Sequence, residues 1–248
     1  MKHEQLGISM IELLVAMLIS SFLILGVTQV YLDNRSNTLF QQSQGSNIEN
    51  ARFSILLLEQ ELAKAGYKRR PDDDSEFAFP TASYPGCGEM VKGQVAKYIS
   101  DTEFCIRYQP AFTGATKCDG VLIDNIANKP YEVESGAELA YARFALNNAT
   151  QTLTCNGTEI ATNIGDIRFN YGVNSLKDEK AVSRYINIPA DNENIRVIQF
   201  SVLASSPTEV TKEPASSIYE FWFDGTEPTD KKLYSLFSTS ASMRNLLP

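Results

Sequence analysis

ISMIELLVAMLISSFLILGVTQVYL, residues Ile8 to Leu32, is the stretch on which the reading of the chain turns. It is long enough to cross the ~30 Å hydrocarbon core as a helix of roughly 20 residues. One charge interrupts it, Glu12. A carboxylate in such a segment costs about 2.5 to 3.5 kcal/mol near the membrane centre and less near the interface, so its presence calls for a polar or charged partner. The short polar leader MKHEQLG precedes the apolar run, and Asp33-Asn34-Arg35 ends it. A secretory signal places small residues after its apolar stretch, whereas here Gly7 lies in front. Cutting after Gly7 keeps the helix and leaves the amine of Ile8 one helical turn from Glu12, with the opposite charge.

Beyond the span, Asp33 to Gln44 is polar with few helix breakers, and Gly45-Ser46-Asn47 predicts an interruption. Apolar spacing of three and four resumes at Ile48 and continues through Ala51, Ile55, Leu58, Leu62 and Ala65, widened by Phe53, Leu56 and Leu57. This second half is expected to pack on a head, with Gly66 as its C-cap. From Pro71 onward the pattern changes to short β-branched and aromatic runs separated by Gly, Pro and Asn. Residues 104–108, 120–123, 141–146, 152–155, 167–171 and 194–204 are strand candidates, with a hairpin turn at Asn147-Asn148-Ala149-Thr150. The expected class is α+β, a long helix on an antiparallel sheet. Its divisions are a leader at 1–7, a transmembrane and assembly helix at 8–32, a helix continuation at 33–66 and a β-rich head at 67–248.

Composition narrows the function. Against 22 Lys and Arg stand 30 Asp and Glu, a formal charge of −8 in 248 residues, which opposes binding to phosphate backbones. The single histidine, His3, falls in the segment expected to be removed, so Ser-His-Asp and Cys-His catalysis lack an imidazole. The expectation is a non-enzymatic protein with no cofactor and no metal.

The run Gly7 then Ile8-Ser9-Met10-Ile11-Glu12-Leu13-Leu14-Val15-Ala16 resembles the class III signal of type IV prepilins and of type II secretion pseudopilins. The resemblance implies cleavage between Gly7 and Ile8 by a prepilin peptidase, N-methylation of Ile8, and a role in filament assembly for Glu12. It also implies a pilin-like fold, with a head in the periplasm before assembly and on the pilus afterwards. The expected partners are other minor and major pilins, met through the N-terminal helix, and the inner-membrane assembly platform. Ile8 departs from the usual Phe at the first mature position. A second resemblance, to PilW-like minor pilins, rests on Asn47 to Phe53, Glu61-Leu62, Ala65-Gly66-Tyr67, Cys105 to Tyr108, Cys118-Asp119-Gly120, Leu153-Thr154-Cys155, Tyr171 to Asn174 and Met243-Arg244-Asn245 in that order. It implies a subunit that helps start pilus assembly and stays at or near the tip. A pseudopilin, a tip adhesin and a DNA-capturing module are the alternatives.

Cys87, Cys105, Cys118 and Cys155 in an exported head point to disulfides, since no pair has the close spacing of a zinc site. Three connectivities are open; pairing of neighbours, Cys87 with Cys105 and Cys118 with Cys155, suits cysteines that flank adjacent strands, each bond contributing about 2 to 4 kcal/mol. Asp72-Asp73-Asp74 with Glu76 lacks the spacing of a calcium loop and reads as a wet surface. Glu132 and Glu134 form a carboxylate pair on a possible strand face. Lys68-Arg69-Arg70 reads as a basic run offset by the adjacent aspartates. Trp222, with Tyr219, Phe221 and Phe223, reads as core rather than as an exposed binding patch.

Overall fold

A computed structural model describes residues 9–124, 126, 129, 131–132, 139–175 and 181–246. One helix, α1, runs from Met10–Lys64, 55 residues and ~80 Å long at 1.5 Å per residue. Its apolar N-terminal half buries nothing against the other described residues. Contact with the head begins at Ser43 and follows Asn47, Ala51, Ser54, Leu58, Glu61 and Leu62, the seam of one helix face.

This seam differs from the expected one in two respects. The helix continues without a break through Gly45-Ser46-Asn47, because Asn47 spends its amide on the head, donating to the Leu233 carbonyl at 2.8 Å, instead of competing for its own backbone. Ile48, Phe53 and Leu56 are exposed, while the small polar Ser43 and Ser54 are buried where the helix comes close to the sheet. The helix ends one residue before the expected cap: Ala65 is the C-cap, and Gly66 follows it at φ +70. Glycine suits that left-handed position, where a Cβ would also press on the Leu246 side chain.

Two antiparallel sheets and a hairpin make up the head. Strands β1 (Ala82–Tyr84) and β2 (Gly88–Met90) form the hairpin, which follows a single-turn helix α2 (Ser75–Ala78). The five-stranded sheet is a meander of β3 (Ala96–Ser100), β4 (Glu103–Tyr108), β5 (Ala140–Asn147), β6 (Thr152–Cys155) and β7 (Thr158–Ala161). The four-stranded sheet contains β8 (Ile164–Asn174), β9 (Arg184–Ile186), β10 (Asn194–Ser205) and β11 (Tyr234–Ser242), in the order β11-β10-β8-β9. A short helix α3 (Ser217–Trp222) lies in the excursion between β10 and β11, and a 3₁₀ turn at Arg244–Leu246 closes the described chain.

Helix and sheets share one core. Leu58 and Leu62 of α1 join Phe104, Ile106 and Phe144 from one sheet and Ile167, Phe169, Phe200 and Val202 from the other. Phe104 stacks on Phe144 across neighbouring strands and meets Phe169 edge-on at 4.8 Å between ring centres, so aromatic contacts tie the two sheets together. The class is α+β, as expected. Residues 120–123 do not form a strand: Gly120 at φ +81 and the Asp119 carboxylate, which accepts from the Val121 N–H at 3.0 Å, make a tight turn there, leaving one bridge between Thr116 and Leu122. The Asn147 turn forms as the sequence predicts, its side chain accepting from Ala149 N–H at 3.1 Å.

Candidate functional site

The exposed half of α1 opens with a feature that hydropathy does not reveal. Ser9 is the N-cap and Glu12 stands at the third helical position. The Ser9 hydroxyl accepts from Ile11 N–H at 3.4 Å, and the Glu12 carboxylate accepts from Ser9 N–H at 3.1 Å. Glu12 thus belongs to a capping box, which satisfies orphan amides at the start of the helix and sets a negative charge against the positive end of its dipole. The Ser-x-x-Glu spacing is the sequence signature of this role, which the charge of Glu12 alone does not reveal. Gly7 and Ile8 lie outside the described residues.

Along the span, the two hydroxyls of Ser21 and Thr28 bond back to carbonyls one turn earlier, Met17 at 2.8 Å and Ile24 at 2.7 Å. Those bonds let polar side chains enter an apolar segment without unmet groups. Asp33 at the end of the span accepts from Gln29 at 3.3 Å, marking where polar residues take over.

The head grips the other half of the helix at three levels. Asn47 bonds to Leu233, Glu59 accepts from the Thr239 hydroxyl at 3.1 Å, and Asn245 donates to both Ala63 and Ala65 carbonyls at 3.0 Å. Tyr234 to Asn245 therefore runs alongside the helix with bonds at both ends and between.

Covalent and charged clamps hold the head's loops. Cys87 is bonded to Cys105 and Cys118 to Cys155, so one bridge fastens the hairpin to β4 and the other fastens the 118–122 turn to β6. Arg69, read from sequence as part of a surface run, is buried instead. It donates to the carbonyls of Glu132 at 2.9 Å, Ala111 at 2.8 Å and Lys129 at 2.8 Å, closing the long β4–β5 connection. Its neighbours behave as surface charges: Lys68 bonds to the Asp73 carbonyl, and Arg70 pairs with Asp73 at 3.5 Å.

The other candidates separate. Asp74 caps α2, Glu76 pairs with Lys92 at 2.9 Å, and among the described residues no three potential metal ligands converge. Glu132 stands on an exposed loop against Lys129 at 3.4 Å, not on a strand, and Glu134 lies outside the described residues. Trp222 is buried with Leu203 and Tyr234 and donates to Asp166 at 2.7 Å, whereas Phe221 is exposed.

Glu193 accepts from the Ala190 N–H at 3.0 Å and from Arg184, and those two bonds hold its carboxyl below the usual carboxylate range. A depressed folded value stabilises the fold above the unfolded pKa and loses that contribution as pH falls through the folded one. Glu193→Gln is expected to lower stability by about 1 kcal/mol at pH 7, discounted because Arg184 is largely exposed. The gap between variant and wild type, followed by thermal unfolding, should narrow and close as pH falls below the ordinary carboxylate range. A gap independent of pH would show that the carboxylate charge is not what matters.

Residues 2–28 match the prokaryotic N-terminal methylation motif. The N-terminus of the chain resembles that of type IV pilin-like proteins. No curated protein sequence matches the chain. Among solved structures it is similar to the type IV-like pilin TTHA1219 from Thermus thermophilus, at 13% identity and a TM-score of 0.42, over 80% of this chain and 97% of that one. The motif ends inside the apolar half of α1, so it covers the capping box and most of the exposed span, and none of the head.

Proposed function

We propose that the chain is a minor pilin of a type IV pilus, a structural subunit that helps to initiate assembly and stays at or near the tip. Before assembly it is a single-pass protein of the inner membrane with its head in the periplasm. Prepilin peptidase cuts between Gly7 and Ile8, Ile8 is N-methylated, and Glu12 meets the amine of a neighbouring subunit. The observation that carries the reading is the methylation motif on a helix whose apolar half touches nothing else among the described residues while its other half is seated in a head. An apolar segment of that length needs lipid or other helices around it. Two disulfides suit a head folded in an oxidising compartment, and the bulk of that head suits a rare subunit that need not tile a filament. The order of short head motifs favours the pilus over a secretion pseudopilus.

The test is N-terminal mass spectrometry of the membrane-bound protein in cells with and without prepilin peptidase, paired with counts of surface pili in cells lacking this chain. A methylated start at Ile8 that needs the peptidase, together with few pili in the deletion, is the expected outcome. A retained Met1 would overturn the pilin assignment. Normal piliation with loss of protein secretion would move the chain to a secretion pseudopilus.

A further inference from the structure

We propose that the outer edge of β11 receives an uncharged, extended strand from a neighbouring filament subunit, which continues the four-stranded sheet. β11 is the terminal strand of that sheet and pairs with β10 without a register shift over nine residues, from Ser205↔Tyr234 to Val197↔Ser242. Direct opposites in an antiparallel pair alternate between bonded and non-bonded sets. The Met243 N–H donates to the Arg196 carbonyl at 3.0 Å and the Leu233 carbonyl accepts from Ser206 at 2.8 Å, so the odd-numbered residues of β11 turn their backbone groups to β10. The even-numbered residues turn theirs outward. Of these, Ser238, Ser240 and Ser242 are exposed, and no loop or side chain among the described residues is bonded to their N–H or C=O groups.

The other sheet edges carry devices that discourage pairing. β9 has three residues and begins with Arg184; β7 has four and includes Glu159; β3 carries Lys97 and a register irregularity at Tyr98. Short length, charge and irregularity are how proteins protect an edge. β11 reads YSLFSTSAS, nine residues without a charge, a proline, a glycine or a bulge. An edge so unprotected, with its alternate amides and carbonyls free, is chemically suited to the backbone of another strand.

The side chains specify that strand further. Thr239 is bonded to Glu59, which places Phe237 and Thr239 on the helix side of β11, and the same flank of α1 carries the exposed Ile48. An incoming strand therefore needs apolar residues toward the helix and small polar ones on the opposite face, beside Ser238 and Ser240.

This inference rests on the filament-subunit reading, and the experiment separates the two. Hydrogen–deuterium exchange by mass spectrometry is measured on the peptide spanning Tyr234 to Ser242, in sheared filaments and in the full-length chain in detergent. In filaments, the amides of Ser238 and Ser240 are expected to slow by about tenfold or more. Ser240→Pro removes an outward N–H without removing a bond to β10, and is expected to cut incorporation into filaments by about tenfold at an unchanged membrane level. Ser240→Val, which keeps the N–H, incorporates normally. Equal exchange in the two states overturns the proposal even if Ser240→Pro also weakens folding, and so does normal incorporation of Ser240→Pro. Absence of the wild-type chain from filaments instead overturns the subunit assignment.

Discussion

Arg107→Met is expected to destabilise the head by about 3 to 5 kcal/mol, the summed cost of leaving several buried carbonyls without their donor. The guanidinium is wholly buried and lies over the Phe79 ring. It donates to the carbonyls of Gln94 and Pro80 at 2.6 Å, Val91 at 2.7 Å and Phe79 at 3.2 Å. Burial lowers its pKa, partly offset by Tyr84, yet an arginine stays charged in a protein, so carbonyl dipoles hold the cation in place. Methionine fills much of the volume and satisfies none of those acceptors, leaving the segment from Phe79 to Gln94 without its central clamp. In a chain of this size the loss corresponds to a fall in Tm of about 10 °C, readable by calorimetry on the full chain in detergent. Arg107→Lys should recover only part of it, because an ammonium cannot reach four carbonyls set around a planar fork. The Cys87–Cys105 bridge fastens the same segment to β4 two residues away, so reduction and Arg107→Met together should exceed the sum of each. A loss under about 1 kcal/mol would mean that water replaces the clamp at little cost.

Arg107 also shows why part of the head was illegible. An arginine in the middle of an apolar strand, Phe104-Cys105-Ile106-Arg107-Tyr108, reads as the wet face of a half-buried sheet. The structure covers both faces of β4, one by the core and one by the 79–95 segment, and no local pattern announces a loop that folds back over a strand. β11 is illegible for a related reason. Its Ser and Thr residues lack the apolar alternation of a strand, and its order comes from pairing with the strongly patterned β10. The long helix was legible because its apolar run and its spacing are local properties, but which side it turns to the sheet was not. Phe53 and Leu56 are larger and more apolar than Ser43 and Ser54, yet the latter are buried, since close approach to the sheet selects small residues. At the N-terminus, Glu12 stood out by its charge, and its bond to Ser9 came only from the structure.

That bond sharpens the experiment on Glu12. In the isolated chain the carboxylate already has a partner, the Ser9 N–H, so retention of a charge near the start of the span has two physical explanations. One is the capping box, worth on the order of 1 kcal/mol of local helix order. The other is the proposed pairing with the N-terminal amine of the next subunit, a charge interaction strengthened where water is scarce. Glu12→Ala removes both and is expected to leave membrane insertion intact, since a neutral span inserts readily, while lowering incorporation into filaments by about tenfold or more. Glu12→Gln separates the explanations, because a glutamine at the third position can still accept from Ser9 N–H but carries no charge. If the amine is the partner that matters, Glu12→Gln assembles as poorly as Glu12→Ala, and immunoblots of sheared filaments against membrane fractions show the same loss for both. If Glu12→Gln assembles like wild type, the carboxylate serves its own helix and the proposed intersubunit pairing is wrong. The first outcome is expected, because one capping bond at an exposed terminus is small beside the cost of leaving an N-terminal ammonium unpaired among apolar helices.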